Sequence, residues 1–178
     1  KMKIIHDILQ GSDEWLSMRL GKVTASRFKD VMTNGRGGNP SKTAESYMIE
    51  LAIEAITGKS LPFFENEAMR HGTETEPQAR AMYELISGNY VSEVAFIEHN
   101  EFDGVSPDGV IGNDGLLEIK CPTTKTQVER FLNNTGLPDE YKWQVHGQIW
   151  VAEREWCDFL SFDDRIDPVG ACVGMKGS

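Results

Sequence analysis

The sequence predicts a mixed β-sheet flanked by helices, an α/β or α+β domain, and three observations predict it. Two long segments, residues 41–57 and 73–87, carry a helical period. From Tyr90 to Cys121 the pattern changes to that of strands, interrupted by Gly112-Asn113-Asp114-Gly115, a strong hairpin signal. Beyond Pro122, two more helical segments precede a last strand, Trp156–Phe162.

Taken in order, residues 13–20 and 26–32 read as two short helices joined near Gly21. Asn34-Gly35-Arg36-Gly37-Gly38-Asn39-Pro40 is dense in turn residues and reads as a loop. Ser41 caps the next helix and Gly58 stops it, with Tyr47, Met48, Leu51, Ala52 and Ala55 on one stripe. The second long helix is expected over Thr73–Ser87, because Pro77 lacks an N–H and fits only near a first turn. Ala79, Met82, Tyr83 and Ile86 make its buried face, and Glu76 lies on the same side by the i, i+3 rule. Strands follow at Tyr90–Ile97, Gly104–Ile111 and Leu116–Cys121, then helices near Lys125–Asn133 and Asp139–Ala152. Trp15, Trp143, Trp150 and Trp156 are read as core residues.

A chain of 178 residues suits one domain, and 39% hydrophobic with 26% charged residues is the composition of a soluble globule. No run approaches the roughly 20 apolar residues of a spanning helix, so no membrane partner is expected. The opening Lys1–His6 is too short and too soon polar for a signal peptide. Cys121, Cys157 and Cys172 form no CxxC pair and are odd in number, which fits reduced thiols in the cytoplasm. A net charge of −10 is the opposite of the basic footprint of a nucleic-acid binder. Carboxylates that hold metal ions count as negative in that sum, and a locally basic channel is compatible with it.

The chemistry concentrates at the hairpin. Glu118 and Lys120 are two apart on a strand and leave the same face, and Asp108 lies across the turn on its partner. The flanking Val110, Ile111, Leu116, Leu117 and Ile119 are apolar. Two carboxylates in such surroundings are costly unless cations compensate them. Lys120 neutralises one, and a divalent ion would neutralise the rest, with oxygen ligands selecting Mg²⁺ or Mn²⁺. Phosphodiester hydrolysis uses such a centre. As a short pattern alone, D-x9-E-x-K reads more readily as a structural ion pair at a sheet end.

Five ordered blocks supply the context: GSDEWLSMRLGKVTASRF (11–28), MRHGTETEPQAR (69–80), SPDG (106–109), LEIKCP (117–122) and QVHGQIWV (144–151). They resemble the phage lambda exonuclease and YqaJ-type viral recombinase family of the PD-(D/E)XK nuclease superfamily. The resemblance implies a restriction-endonuclease-like core and a single exonuclease domain over residues 1–163. It implies that Asp108, Glu118 and the Ile119 carbonyl bind Mg²⁺ (or Mn²⁺), that Lys120 is the catalytic lysine, and that Glu76 is the helix-borne acid. Glu74 is equally near in sequence.

In the same way Arg19, Thr24 and Ser26 match the residues that hold a 5′-phosphate, and placement of Thr24 and Ser26 at a helix start agrees with anion binding. Read without the family, Ser26 is a cap and Arg19 a solvated side chain. Ser106 is a further candidate phosphate donor or a plain turn residue. Gln144 matches a family glutamine, whereas His146 replaces the functional one. The implied activity is 5′-to-3′ degradation of one strand of linear duplex DNA to mononucleotides, leaving 3′ overhangs. The implied partners are DNA ends, two further copies in a trimer and a single-strand annealing protein, in the cytoplasm of a bacterium carrying the gene on a phage or prophage. An endonuclease of the same fold and an inactive end-binding module are the alternatives. Residues 164–178 show no helical period where the family continues with a strand and a long helix, and are expected to be an irregular or truncated tail.

Overall fold

The computed structural model describes residues 2–62, 64–133, 136–166 and 172–176. Its elements begin with β1 (Lys3–Ile5), α1 (Asp13–Arg19), β2 (Val23–Thr24), a 3-10 turn (Ala25–Arg27), α2 (Phe28–Met32) and a second 3-10 turn (Arg36–Gly38). There follow α3 (Lys42–Thr57), α4 (Glu67–Ser87), β3 (Val91–Ser92), β4 (Phe96–Glu98), β5 (Asp103–Val105) and β6 (Gly109–Ile111). The last are β7 (Gly115–Lys120), α5 (Thr124–Asn133), α6 (Lys142–Val151), β8 (Trp156–Ser161) and β9 (Cys172–Lys176). The mixed α/β class is as expected, but the strands divide between two sheets in two compact units.

The first unit takes Lys1–Pro62, Val94–Pro107 and Asp139–Glu153. Its sheet runs β1-β4-β5-β2, antiparallel except for the β2–β5 pair. Phe96, Ile97 and Val105 from the strands and Val145 and Ile149 from α6 are buried in it. The ends of α3 follow from local chemistry: the Ser41 side chain accepts from the Ala44 N–H, and Gly58 takes a left-handed conformation at φ 64°. Its expected stripe is only partly buried. Tyr47 is inside, whereas Met48 is 64% exposed. Trp150, expected in the core, is 66% exposed on α6.

The second unit takes Phe63–Glu93, Asp108–Pro138 and Arg154–Ser178, and its sheet runs β3-β6-β7-β8-β9. Ala79 and Tyr83 of α4 pack with Leu117, Ile119, Leu160 and Phe162 in one core cluster. Helix α4 begins at Glu67, not Thr73, capped by the Asn66 side chain, which accepts from the Met69 N–H at 2.9 Å. Pro77 therefore stands in its interior. The lost hydrogen bond and ring clash cost about 3 kcal/mol, which burial of Ala79 and Tyr83 on the next turns offsets. Ile86, expected on the buried face, is 46% exposed.

Two strand expectations are corrected in the same manner. Tyr90–Ile97 divides into β3 and β4, and Gly104–Ile111 into β5 and β6, each pair parting to different sheets. Period-two alternation survives such a break, because alternation reports burial and not partner identity. The expected irregular tail is corrected as well. Residues 172–176 form β9, antiparallel to β8 from Trp156↔Lys176 to Leu160↔Cys172. The absence of a helical period did not exclude a strand, and the open edge of β8 provided its template. Residues 167–171, 177 and 178 of that tail lie outside the described residues.

Candidate active site

In the second unit, β6 and β7 pair antiparallel from Gly109↔Leu117 to Ile111↔Gly115, around the expected turn. Leu117 and Ile119 point into the core with α4, so Glu118 and Lys120 share the opposite face. Glu118 is 1% exposed, and its Oε1 accepts a hydrogen bond from Lys120 Nζ.

Asp108 is placed by the end of a strand. It sits one residue ahead of β6, where the register continued by one residue sets it opposite Glu118. Phe162 N–H donates to the Lys120 carbonyl at 2.9 Å, so Lys120 aims its backbone at β8. Backbone groups alternate between edges along a strand, so Ile119 faces the other edge, where β6 has ended. There Asp108 Oδ2 accepts the Ile119 N–H at 2.6 Å. The Ile119 carbonyl leaves by the same edge, beside that carboxylate. Gly109 follows Asp108 because a Cβ there would lie 2.1 Å from Val91 Cγ1.

Glu76 extends this group from α4, while Glu74 is exposed. Burial, with the charge of Glu118 added, holds the Glu76 carboxyl above the usual carboxylate range, although Arg80 opposes the shift. Burial and the neighbouring Glu118 push Asp108 well above that range, with Glu76 contributing in the same direction. Three acids thus feel one another's charge, with Lys120 and Arg80 as nearby cations. Arg80 was not singled out in the sequence. It donates to Glu76 Oε1 at 2.5 Å and to the Asp108 carbonyl at 3.3 Å, and pairs with Glu93 at 3.1 Å. Its signal was the Glu76–Arg80 i, i+4 spacing.

Among the described residues, no three His, Cys, Asp or Glu side chains are gathered closely enough to hold a metal by themselves. The donor chemistry nevertheless suits a hard divalent ion. Glu118 is a buried carboxylate and Asp108 a half-buried one, and the Ile119 carbonyl lies at the same edge. Three acids share Lys120 and Arg80 as cations, and a divalent ion would offset the remaining negative charge.

The first unit carries the second set of candidates. Arg19 is largely buried rather than solvated: its guanidinium lies 3.9 Å over the Trp15 ring and donates to Thr24 Oγ1 at 3.4 Å. Burial pulls its pKa down to about 10, with Tyr47 and Glu54 opposing the shift. Among the described residues no carboxylate lies within ion-pairing distance of it. Thr24 precedes the 3-10 turn and is buried, with its N–H donating to Tyr47 Oη at 3.2 Å. Ser26 is exposed on the turn and does not cap it. Ser106 Oγ donates to the Ala95 carbonyl at 2.8 Å and accepts from Trp15 Nε1 at 3.0 Å. Gln144 and His146 are half-buried on α6. Trp15 and Tyr47 were not identified as site residues, since their partners are distant in sequence.

Residues 14–155 match the YqaJ-like viral recombinase domain. An alkaline exonuclease from Laribacter hongkongensis is 40% identical, and its crystal structure agrees with a TM-score of 0.81 over 94% of this chain and 83% of that one. The same enzyme has been solved in complex with dAMP. A phage-related exonuclease from Haemophilus somnus shares the fold at 18% identity, with a TM-score of 0.64 over 88% of this chain and 85% of that one. An uncharacterized protein of Acanthamoeba polyphaga mimivirus is 30% identical over 89% of this chain, which spans only 30% of that protein's length.

Proposed function

Because the chain belongs to the YqaJ-like viral recombinase family, we propose that it is a DNA nuclease that hydrolyses phosphodiester bonds at Asp108, Glu118 and Lys120. The observation that carries this reading is the convergence of the buried Glu118, the half-buried Asp108, a lysine and the Ile119 backbone edge at the end of β7. In its full form the reaction is 5′-to-3′ removal of mononucleotides from one strand of linear duplex DNA, leaving 3′ single-stranded overhangs. A relative described as an alkaline exonuclease and solved with dAMP, a mononucleotide, supports the release of mononucleotides, and the polarity and overhang are proposed from the resemblance.

Asp108, Glu118 and the Ile119 carbonyl would hold Mg²⁺, with Mn²⁺ as a substitute. When bound, the ion lowers the pKa of an attacking water and offsets charge on the phosphate. The chain's own groups do the rest. Lys120 brings a positive charge to the developing negative charge of the scissile phosphate. Glu76, fixed by Arg80, supplies a further acid beside the centre. Arg19, Thr24 and Ser26 hold the terminal 5′-phosphate, with Gln144 contributing. A largely buried guanidinium with no carboxylate partner among the described residues favours an anion, and its planar donors match two phosphate oxygens. Ser106 is a further candidate donor to that phosphate, its hydroxyl engaged with the Ala95 carbonyl.

Residues 1–163 work as one exonuclease domain in this reading. Assembly as a homotrimer, transfer of the overhang to a single-strand annealing protein and a place in the cytoplasm of a phage-carrying bacterium are proposed from the resemblance. No helix among the described residues is long and apolar enough to cross a membrane.

The test is digestion of a 5′-phosphorylated linear duplex beside a covalently closed circle of the same sequence, with Mg²⁺ present. Mononucleotides from the linear form alone are expected. Cutting of the circle would establish the endonuclease alternative, and end binding without release would establish the binding module.

A further inference from the structure

The geometry points to Trp15 as the positioning residue of the end-reading pocket, one indole that both carries Arg19 on its face and locks Ser106 through its edge. The inference rests on the reading of Arg19 as a phosphate ligand, and it assigns Trp15 and Ser106 a task that reading leaves open.

The two contacts use different parts of the ring. The Arg19 guanidinium carbon lies 3.9 Å from the ring centroid, within stacking range of the face. A guanidinium stacked on an aromatic surface keeps its in-plane N–H donors directed outward, the arrangement a bidentate phosphate contact needs. The ring edge is fixed independently. Trp15 Nε1 donates to the Ala95 carbonyl at 2.9 Å and to Ser106 Oγ at 3.0 Å, while Ser106 Oγ donates to the same carbonyl at 2.8 Å. The indole, the hydroxyl and the carbonyl close a triangle in which each polar atom is engaged. The ring therefore has little freedom to tilt, and the guanidinium resting on it has a fixed plane.

Alternative supports for Arg19 are few. Its one side-chain hydrogen bond among the described residues, to Thr24 Oγ1, is long at 3.4 Å. Tyr47 and Glu54 act on it only through charge. Among the described residues the indole face is therefore the main support that orients the fork, with Thr24 Oγ1 at its edge. Ser106 thus holds the edge of the ring, its hydroxyl accepting from Trp15 Nε1 and donating to the Ala95 carbonyl.

The experiment measures binding of the full chain to fluorescently labelled duplexes with 5′-phosphate or 5′-hydroxyl ends, in EDTA so that no turnover intervenes. The wild type is expected to prefer the phosphorylated end. Trp15→Leu, which removes the face, is expected to reduce that preference by about tenfold, between the values for an exposed and a fully desolvated cation–π contact. Binding of the 5′-hydroxyl duplex should change little. Trp15→Phe keeps a face but loses Nε1–H, and should keep most of the preference while melting at a lower temperature. Ser106→Ala should weaken the preference less than Trp15→Leu and add nothing to Trp15→Phe.

Retention of the full preference by Trp15→Leu would overturn the inference, as would equal loss on both kinds of end, the mark of a merely structural tryptophan. Additive effects of Trp15→Phe and Ser106→Ala would overturn the lock. A wild type blind to the phosphate would overturn the pocket itself, and mononucleotide release would still report separately on the nuclease reading.

Discussion

Replacing Asp108 with asparagine should stabilise the metal-free protein while removing its proposed activity. Asp108 is half-buried beside the buried Glu118, and Lys120 supplies a compensating charge. Asparagine keeps an oxygen to accept the Ile119 N–H and deletes the second negative charge. Removing one uncompensated charge is worth about 1–3 kcal/mol, or roughly 2–12 °C in Tm for a chain of this size. The pH dependence has a definite sign. The folded-state pKa of Asp108 lies above its unfolded value, so the contribution of the protonated carboxyl is complete below about pH 4. It is lost as pH rises through the folded pKa, so the advantage of asparagine should be larger at pH 8 than at pH 5. Thermal melts in EDTA at the two pH values measure this. Mg²⁺ should then raise the Tm of the wild type and leave that of Asp108→Asn nearly unchanged. An Asp108→Asn variant that melts below the wild type in EDTA at pH 8 would refute the reasoning.

Gly109→Ala should destabilise by about 1–3 kcal/mol through overpacking, because its Cβ would meet Val91 Cγ1 at 2.1 Å. Adding Val91→Ala leaves Val91 Cβ at 3.6 Å, so the double variant should recover part of that loss in urea unfolding. Tyr83→Phe should cost about 1–3 kcal/mol at neutral pH by stripping a donor from Asp158, which now accepts at 2.6 Å. Burial and the Asp158 bond raise the Tyr83 pKa, so wild-type stability should fall as pH climbs past about 10, where the unfolded phenol ionises, and Tyr83→Phe should fall less.

What could be read in the sequence was local. Ser41 and Gly58 bounded α3 because caps act within a turn of the residues they serve. Glu118 and Lys120 were legible because a strand of period two puts both on one face, and the hairpin placed Asp108 near them. What escaped depended on partners far along the chain. Trp15 meets Ala95 and Ser106 at separations of 80 and 91 residues, and nothing near Trp15 distinguishes it from a core tryptophan. Strands β3 and β4 share one apolar run, and only their different neighbours reveal two sheets. Pro77 misled for a different reason. A rule for isolated helices placed it near an N-terminus, whereas the packed face of α4 sustains it in the interior. The charge of −10 also conveyed little about the sites, since Arg19, Arg80 and Lys120 are a few cations set against an acidic remainder.

The account's central claim is that Asp108, Glu118 and Lys120 form a catalytic centre and not a structural ion pair. The most direct measurement is Mg²⁺-dependent release of mononucleotides from a 5′-phosphorylated linear duplex by the wild type and by Lys120→Ala, both checked for folding by circular dichroism. The account predicts release by the wild type and a loss of at least about a hundredfold in the folded variant, the scale of one lost electrostatic stabiliser. Equal release by the two proteins would contradict it.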